Sequence, residues 1–128
     1  MVRKLYFWLP AVACMAVIFI LSSRQRIAVS EEYVWNFVVF KSLHMIEYAV
    51  LFILLFRAFL TGKKSNKETA MKKAFILAVL YAMSDEIHQT LVPTREGTLR
   101  DVLIDTAGIS IMYLILKKYF NALYNYFK

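Results

Sequence analysis

The stretch LYFWLPAVACMAVIFILSS, residues 5–23, contains no charged side chain and is followed at once by Arg24. Its length is about what an α-helix needs to cross the hydrocarbon core of a bilayer. A cleaved signal peptide after Arg3 and Lys4 is the rival interpretation, and we disfavour it because the run is long and no Ala-x-Ala cleavage site follows. Pro10 falls inside the run, where membrane helices tolerate a kink.

Three more apolar segments follow along the chain. With the first, they predict membrane spans at about 4–23, 37–60, 71–91 and 101–119. The composition agrees, since 60% of the residues are hydrophobic, against about 45–50% in soluble domains. Glycine and proline are scarce, which disfavours a barrel with many turns. We therefore predict an all-α fold, a four-helix transmembrane bundle formed by one domain over residues 1–128.

The net charge of +7 does not indicate a nucleic-acid partner, because the basic residues gather at the ends of apolar segments instead of spreading over one face. They concentrate in the N-terminus, in the loop between the second and third spans and at the C-terminal end: Arg3, Lys4, Lys63, Lys64, Lys67, Lys72, Lys73, Lys117, Lys118 and Lys128. The positive-inside rule then places both termini in the cytoplasm and the loops 24–36 and 92–100 outside. Cys14 is the single cysteine, which excludes an internal disulfide.

Unusual polar residues fall in the outer halves of the predicted spans and in the loop after the third. They are Ser22, Ser23, Lys41, His44, Glu47, Tyr48, Asp85, His88, Gln89, Arg95, Asp101 and Asp105. Their spacing of three, four or seven residues puts several on shared helical faces. We expect these faces to converge on one outward-facing pocket, with Lys41 near Asp85, Asp101 or Asp105, and His44 near His88 or Asp85.

A purely structural explanation is that these charges only form salt bridges that lock the bundle. Each charge at membrane depth costs about 2.5–3.5 kcal/mol on insertion scales, so a bundle that needed only adhesion would use Ser, Thr and Gly instead. Glu86 lies about 100° around the helix from Asp85. We expect its side chain to face the lipid headgroups or the loop.

The segments KSLHMIEYAVLFILLF and SDEIHQTLVPTREGTLRDVLIDTAG resemble the VanZ-like family of bacterial membrane proteins. The residues that match its motifs are Lys41, His44 and Tyr48; Asp85, Glu86, His88 and Gln89; Pro93 and Arg95; Asp101, Asp105 and Gly108. Thr94 stands where the family has glycine, and Asp105 where it has asparagine. The resemblance implies a multi-pass protein of the bacterial cell membrane and an association with resistance to the glycopeptide teicoplanin.

Several functions fit the polar cluster. In a membrane enzyme, His88 oriented by Asp85 would be the general base, and Glu47 or His44 would relay the proton. Lys41 and Arg95 would hold an anionic group of a lipid-linked ligand in the outer leaflet. Ser22 or Ser23 would serve as nucleophile only in contact with His44 or His88.

The alternatives to an enzyme are a non-catalytic binding module, a metal site and a transporter. A non-catalytic module would bind a lipophilic antibiotic or a wall precursor through the same pocket, with Gln89, Tyr48, Asp101 and Asp105 among the ligand contacts. A divalent metal held by His44, Glu47, Asp85 and His88 is a further alternative, which the neighbouring Lys41 disfavours. Transport is weaker, because four spans are few for alternating access. The sequence leaves the oligomeric state open.

Overall fold

A computed structural model describes residues 2–24, 31–62 and 66–127 of the chain. The prediction of an all-α fold is confirmed: the elements are α1 (Val2–Ser22), α2 (Tyr33–Leu60), α3 (Lys67–Gln89) and α4 (Leu99–Phe127), and these three ranges contain no strand. Lys63, Lys64 and Lys128, which contribute to the predicted orientation, lie outside the described residues.

The helix bounds differ from the predicted spans mainly in α4. Its last turns continue to Phe127, although the sequence favoured a tail outside the span. The reason is packing, because Phe120 and Phe127 both contact the buried ring of Phe56, with ring centroids 5.9 and 5.3 Å away. At the start of α3, the side chain of Asn66 caps the helix by accepting a hydrogen bond from the backbone N–H of Thr69 at 2.8 Å.

Helix α2 lies at the centre of the bundle and packs against the other three helices. Its large buried side chains include Tyr48, Phe52 and Phe56. Helix α3 faces the core with alanines at every fourth position, Ala70, Ala74, Ala78 and Ala82, all of them fully buried. Small residues on one stripe let helices approach closely, which is how membrane helices gain packing energy without a hydrophobic driving force between them.

Helices α2 and α4 approach each other closely at Gly108, three residues after Asp105. A Cβ atom added there would meet the backbone oxygen of Met45 at 2.6 Å. No other residue type fits without moving one helix. Gly108 therefore sets the register at which the acidic stripe of α4, formed by Asp101 and Asp105, packs against α2.

Two of the described helices, α1 and α2, are long and apolar enough to cross a membrane. Helix α1 also exposes a continuous apolar face that includes Leu5, Leu9 and Val12, an arrangement suited to contact with lipid. Helices α3 and α4 do not meet the same criterion of length and composition, and both carry charged side chains near each end.

Candidate functional site

Asp85 is the centre of the polar cluster. Its carboxylate is 3% exposed and accepts hydrogen bonds from three helices: from Ser22 Oγ of α1 at 2.5 Å, from the Tyr48 hydroxyl of α2 at 3.1 Å and from Gln89 Nε2 of its own helix at 3.0 Å. Three donors satisfy a buried carboxylate well. Asp85 therefore joins α1, α2 and α3 at one level.

Lys41 is placed against α4. Its Nζ lies 2.7 Å from Oδ1 of Asp101, and both side chains are largely buried, at 12% and 4% exposure. The Nε of Arg100 lies 3.7 Å from the same oxygen but on a side chain that is mostly exposed. Of the three acidic partners expected for Lys41, the structure selects Asp101.

Arg95 holds the end of α1. Its guanidinium donates to the backbone oxygens of Leu21 at 3.2 Å and Arg24 at 2.7 Å, and reaches Oε1 of Gln89 at 3.5 Å. The last carbonyls of a helix have no partner within the helix, so a cation here stabilises the terminus. Arg95 was predicted to hold an anionic group, and in the structure it ties the loop after α3 to α1.

Glu86 lies beneath the loop, which was one of the two positions expected for it, and it is almost completely buried, at 5% exposure. Its Oε2 accepts a hydrogen bond from the backbone N–H of Thr98 at 3.3 Å. The chain passes so close that a Cβ at Gly97 would lie 2.1 Å from the backbone oxygen of Glu86. Glu86 therefore anchors the loop that carries Arg95, a role that helical spacing alone does not reveal.

A cavity of about 170 Å³ opens between α1 and α2 beside this loop. Its polar lining consists of Arg24, His44, Glu47 and Arg95. Its apolar lining consists of Leu21, Phe40 and Leu43, and Leu21 and Leu43 are 40% and 49% exposed on the outer face of the helices. The cavity thus combines two guanidinium groups and one carboxylate with an apolar wall that continues onto the surface.

His44 and Glu47 meet within this cavity, because their spacing of three residues places them on one side of α2. The Nδ1 of His44 lies 3.6 Å from Oε2 of Glu47, longer than a hydrogen bond. Within the part of the chain that the structure describes, this buried nitrogen has no hydrogen-bond partner. The buried Nδ1 of His44 therefore has a hydrogen-bonding position that the described residues leave unused.

His88 contacts α1 and is not among the residues that line the cavity. Its ring stacks on Phe19 with centroids 4.4 Å apart, and its Nε2 lies 3.5 Å from the hydroxyl of Ser23. That hydroxyl donates its single hydrogen to the backbone oxygen of Phe19 at 2.6 Å, so in this arrangement it can only accept from His88. The Nδ1 of His88 is buried and has no hydrogen-bond partner among residues 2–24, 31–62 and 66–127. Asp85, which was expected to orient His88, accepts a hydrogen bond from Ser22.

Asp105 occupies the deepest position of the acidic stripe on α4. It is 1% exposed, and neither carboxyl oxygen has a hydrogen-bond partner in the described ranges. The charged groups near it are those of Lys41, Asp85, Glu86 and Asp101. The sequence predicted its place in the cluster, and its lack of a partner is a finding of the structure.

The described residues contain no group of three or more His, Cys, Asp or Glu side chains arranged to hold a metal ion. His44 and Glu47 lie together in the cavity, whereas Asp85 is engaged by Ser22, Tyr48 and Gln89, and His88 by Ser23. A metal bound by all four residues stays a prediction.

Sequence reasoning missed Arg24, Leu21, Phe40 and Leu43 as cavity residues. Leu21, Phe40 and Leu43 are ordinary members of apolar spans, and only the packing of α1 against α2 brings them to one opening. Arg24 carried a signal, since it is the first charge after the apolar run of α1. It was not included in the predicted polar cluster.

The loop after α3 contains one residue with unusual backbone geometry. Thr94 has a φ of 68°, in the left-handed region that glycine adopts without steric cost. This is the position at which the VanZ-like motif has glycine, so the backbone keeps the geometry of the motif although the side chain departs from it.

Comparisons with known protein families give one finding. The model of the VanZ/LLP1 family matches residues 7–121, which include α2 and α3, most of α1 and α4, and every residue of the outer polar cluster. Searches among curated proteins and among solved structures give no significant match.

Proposed function

The chain belongs to the VanZ/LLP1 family, and from this we propose that it binds an anionic, lipophilic ligand of the bacterial cell surface in the cavity between α1 and α2. The ligand is a lipid-linked molecule or a lipophilic antibiotic with a phosphate or carboxylate group. Binding at this site would contribute to teicoplanin resistance.

The proposal places all four helices across the bacterial cell membrane, with both termini in the cytoplasm. Two apolar helices and the family membership indicate a membrane protein. The lysine-rich ends support the orientation through the positive-inside rule. In this arrangement Arg95 and the cavity face outward, at the level of the lipid headgroups of the outer leaflet.

The observation that carries the proposal is the composition of the cavity lining. Arg24 and Arg95 supply planar guanidinium groups suited to a phosphate or carboxylate, and Glu47 offsets only one of these charges. Leu21 and Leu43 continue the cavity onto the apolar surface of α1 and α2. An anionic headgroup would lie between the arginines, while its hydrocarbon chain would follow the leucines into the bilayer.

The remaining polar residues support the cavity in this proposal. Asp85 fixes the end of α1 through Ser22, and Gln89 orients Arg95. The pair of Lys41 and Asp101 holds α2 against α4, so that His44 and Glu47 keep their places on the cavity wall. Tyr48 and Asp105 fill the buried side of the cluster.

Mass spectrometry of the intact protein, extracted from membranes in a mild detergent, tests the proposal. We expect a bound anionic molecule on the wild type that is lost from Arg24→Gln. Arg100→Gln is the matched control, because Arg100 is an exposed arginine of the same end that does not line the cavity. Equal retention by both variants would remove the support for this cavity as the binding site.

Catalysis is a second candidate, favoured by the distance of 3.5 Å between Ser23 Oγ and His88 Nε2. A serine activated by a histidine is the arrangement of a covalent acyl- or phosphoryl-transfer enzyme. In this candidate the Ser23 hydroxyl turns its hydrogen from the Phe19 carbonyl to His88, which takes the proton as the oxygen attacks the acyl carbon or phosphorus of the substrate. The bond to the leaving group then breaks, and His88 returns the proton to that group. A fluorophosphonate probe would then label Ser23 in the wild type and fail to label His88→Gln. Equal labelling of both proteins, or none of either, would exclude this candidate.

A further inference from the structure

A second cavity lies at the lysine-rich end of the bundle, far along the helices from the outer site. It has a volume of about 310 Å³ and is enclosed by the start of α1, the end of α2 and the start of α3. Its lining includes Lys4, Trp8, Phe59, Thr61, Thr69 and Lys73, and no lining residue carries a carboxylate.

The two lysines in the lining make the cavity positively charged. In the described ranges, neither Lys4 nor Lys73 takes part in an ion pair. The Thr61 hydroxyl is engaged, since it donates to the backbone oxygen of Ala58 at 2.7 Å. The Thr69 hydroxyl and the indole N–H of Trp8 add two groups that donate hydrogen bonds. Two ammonium groups around a polar opening favour an anion, and phosphate is a common partner of lysine.

The charge distribution of the whole chain strengthens this preference. By sequence position, eleven of the sixteen basic residues lie at this end, and Glu68 is the single acidic one among nine. The other end carries the remaining five basic residues and eight acidic ones. The field of the protein therefore attracts anions more strongly to the lysine-rich end than to the opposite end.

The surroundings of the cavity indicate that the anion belongs to a lipid. Trp8 packs edge-on against Phe59, with ring centroids 5.0 Å apart, and the neighbouring Leu5 and Leu9 of α1 are 63% and 70% exposed. Tryptophan beside lysine at a helix end is typical of the headgroup level of a membrane. We propose that this cavity binds the phosphate of an anionic phospholipid in the cytoplasmic leaflet, between Lys4 and Lys73.

The bound phosphate would link α1 to α3. These helices are already joined midway by the Tyr81 hydroxyl, which donates to the backbone oxygen of Met15 at 2.6 Å, and at the outer end by Ser22 and Asp85. A phosphate between Lys4 and Lys73 adds a third link at the remaining level. Phospholipid binding should therefore stabilise the docking of α1 against heat.

The test uses the full chain in nanodiscs of phosphatidylcholine, with and without phosphatidylglycerol. We expect phosphatidylglycerol to raise the thermal unfolding temperature of the wild type. Retention of phosphatidylglycerol by Lys4→Gln/Lys73→Gln should fall about thirtyfold, from the contribution of two lysines near an anionic surface. The control is Lys117→Gln/Lys118→Gln, which removes the same charge at the same end but outside the cavity.

The outcomes separate the sources of phosphate and the two sites. Equal losses in both double variants would show general surface attraction and overturn the proposal. Protection of the wild type by millimolar inorganic phosphate alone, in phosphatidylcholine discs, would show a soluble anion site and overturn the lipid assignment. The inference rests on the membrane arrangement of the proposed function and not on its ligand. Arg24→Gln should therefore leave phosphatidylglycerol retention unchanged, even if it abolishes binding in the outer cavity.

Discussion

The Nζ of Lys41 lies 2.7 Å from Oδ1 of Asp101, and this buried pair joins the middle helix α2 to the first turn of α4. A buried ion pair loses most stability when one partner is removed, because the other charge is then left uncompensated. Substitutions of Lys41 and Asp101 therefore test whether this pair stabilises the fold or serves the ligand.

Lys41→Met should lower the free energy of unfolding by about 3 kcal/mol, the cost of one uncompensated buried charge. The double variant Lys41→Met/Asp101→Leu should recover most of that loss, since it removes both charges and keeps the volume apolar. Thermal unfolding in detergent measures the difference. A double variant no more stable than the single one would contradict the pairing.

Helical spacing predicted that Lys41 and Asp101 lie in one cluster, but it did not select Asp101 over Asp85 or Asp105. That choice depends on the register of α2 against α4, which is fixed where Gly108 touches the backbone of Met45. Glu86 illustrates the same limit, because its burial follows from the loop folding back to Thr98. Periodicity describes the face of one helix, and it does not describe how a loop or a second helix covers that face.

Asp105→Asn should leave the unfolding temperature unchanged or raise it. Both oxygens of Asp105 are buried without a partner in the described ranges, and a neutral amide of the same shape avoids the cost of an unpaired carboxylate. Asp101→Asn is the matched control and should destabilise the protein, since it deprives Lys41 of its counter-ion. Equal destabilisation by the two substitutions would show that Asp105 has a charged partner in the native protein.

Thr94→Gly should be more stable than Thr94→Val. Both variants lose the hydroxyl, so their difference isolates the backbone, which has a φ of 68° at this residue. A left-handed conformation costs about 1–2 kcal/mol for a residue with a side chain, partly offset by the greater chain entropy of glycine in the unfolded state. Chemical denaturation measures the pair, and a valine variant as stable as the glycine variant would remove the argument for strain.

Gly108→Ala should destabilise the protein by about 1–3 kcal/mol, the usual cost of forcing extra volume into a packed contact. Its Cβ would meet the backbone of Met45 at 2.6 Å, so α2 and α4 must separate. Ala107→Leu is the control, because Ala107 is exposed and its side chain can grow without meeting α2. Loss of stability in the control alone would contradict the close approach of the two helices.

Teicoplanin susceptibility at matched membrane abundance tests the proposed ligand cavity most directly. Cells that express the wild type should be protected, and Arg24→Gln/His44→Gln should lose that protection while its abundance and unfolding temperature stay close to those of the wild type. Lys41→Met/Asp101→Leu should keep the protection, because its change lies in the packing of α2 against α4. Full protection by Arg24→Gln/His44→Gln would contradict the assignment of the cavity between α1 and α2 as the functional site.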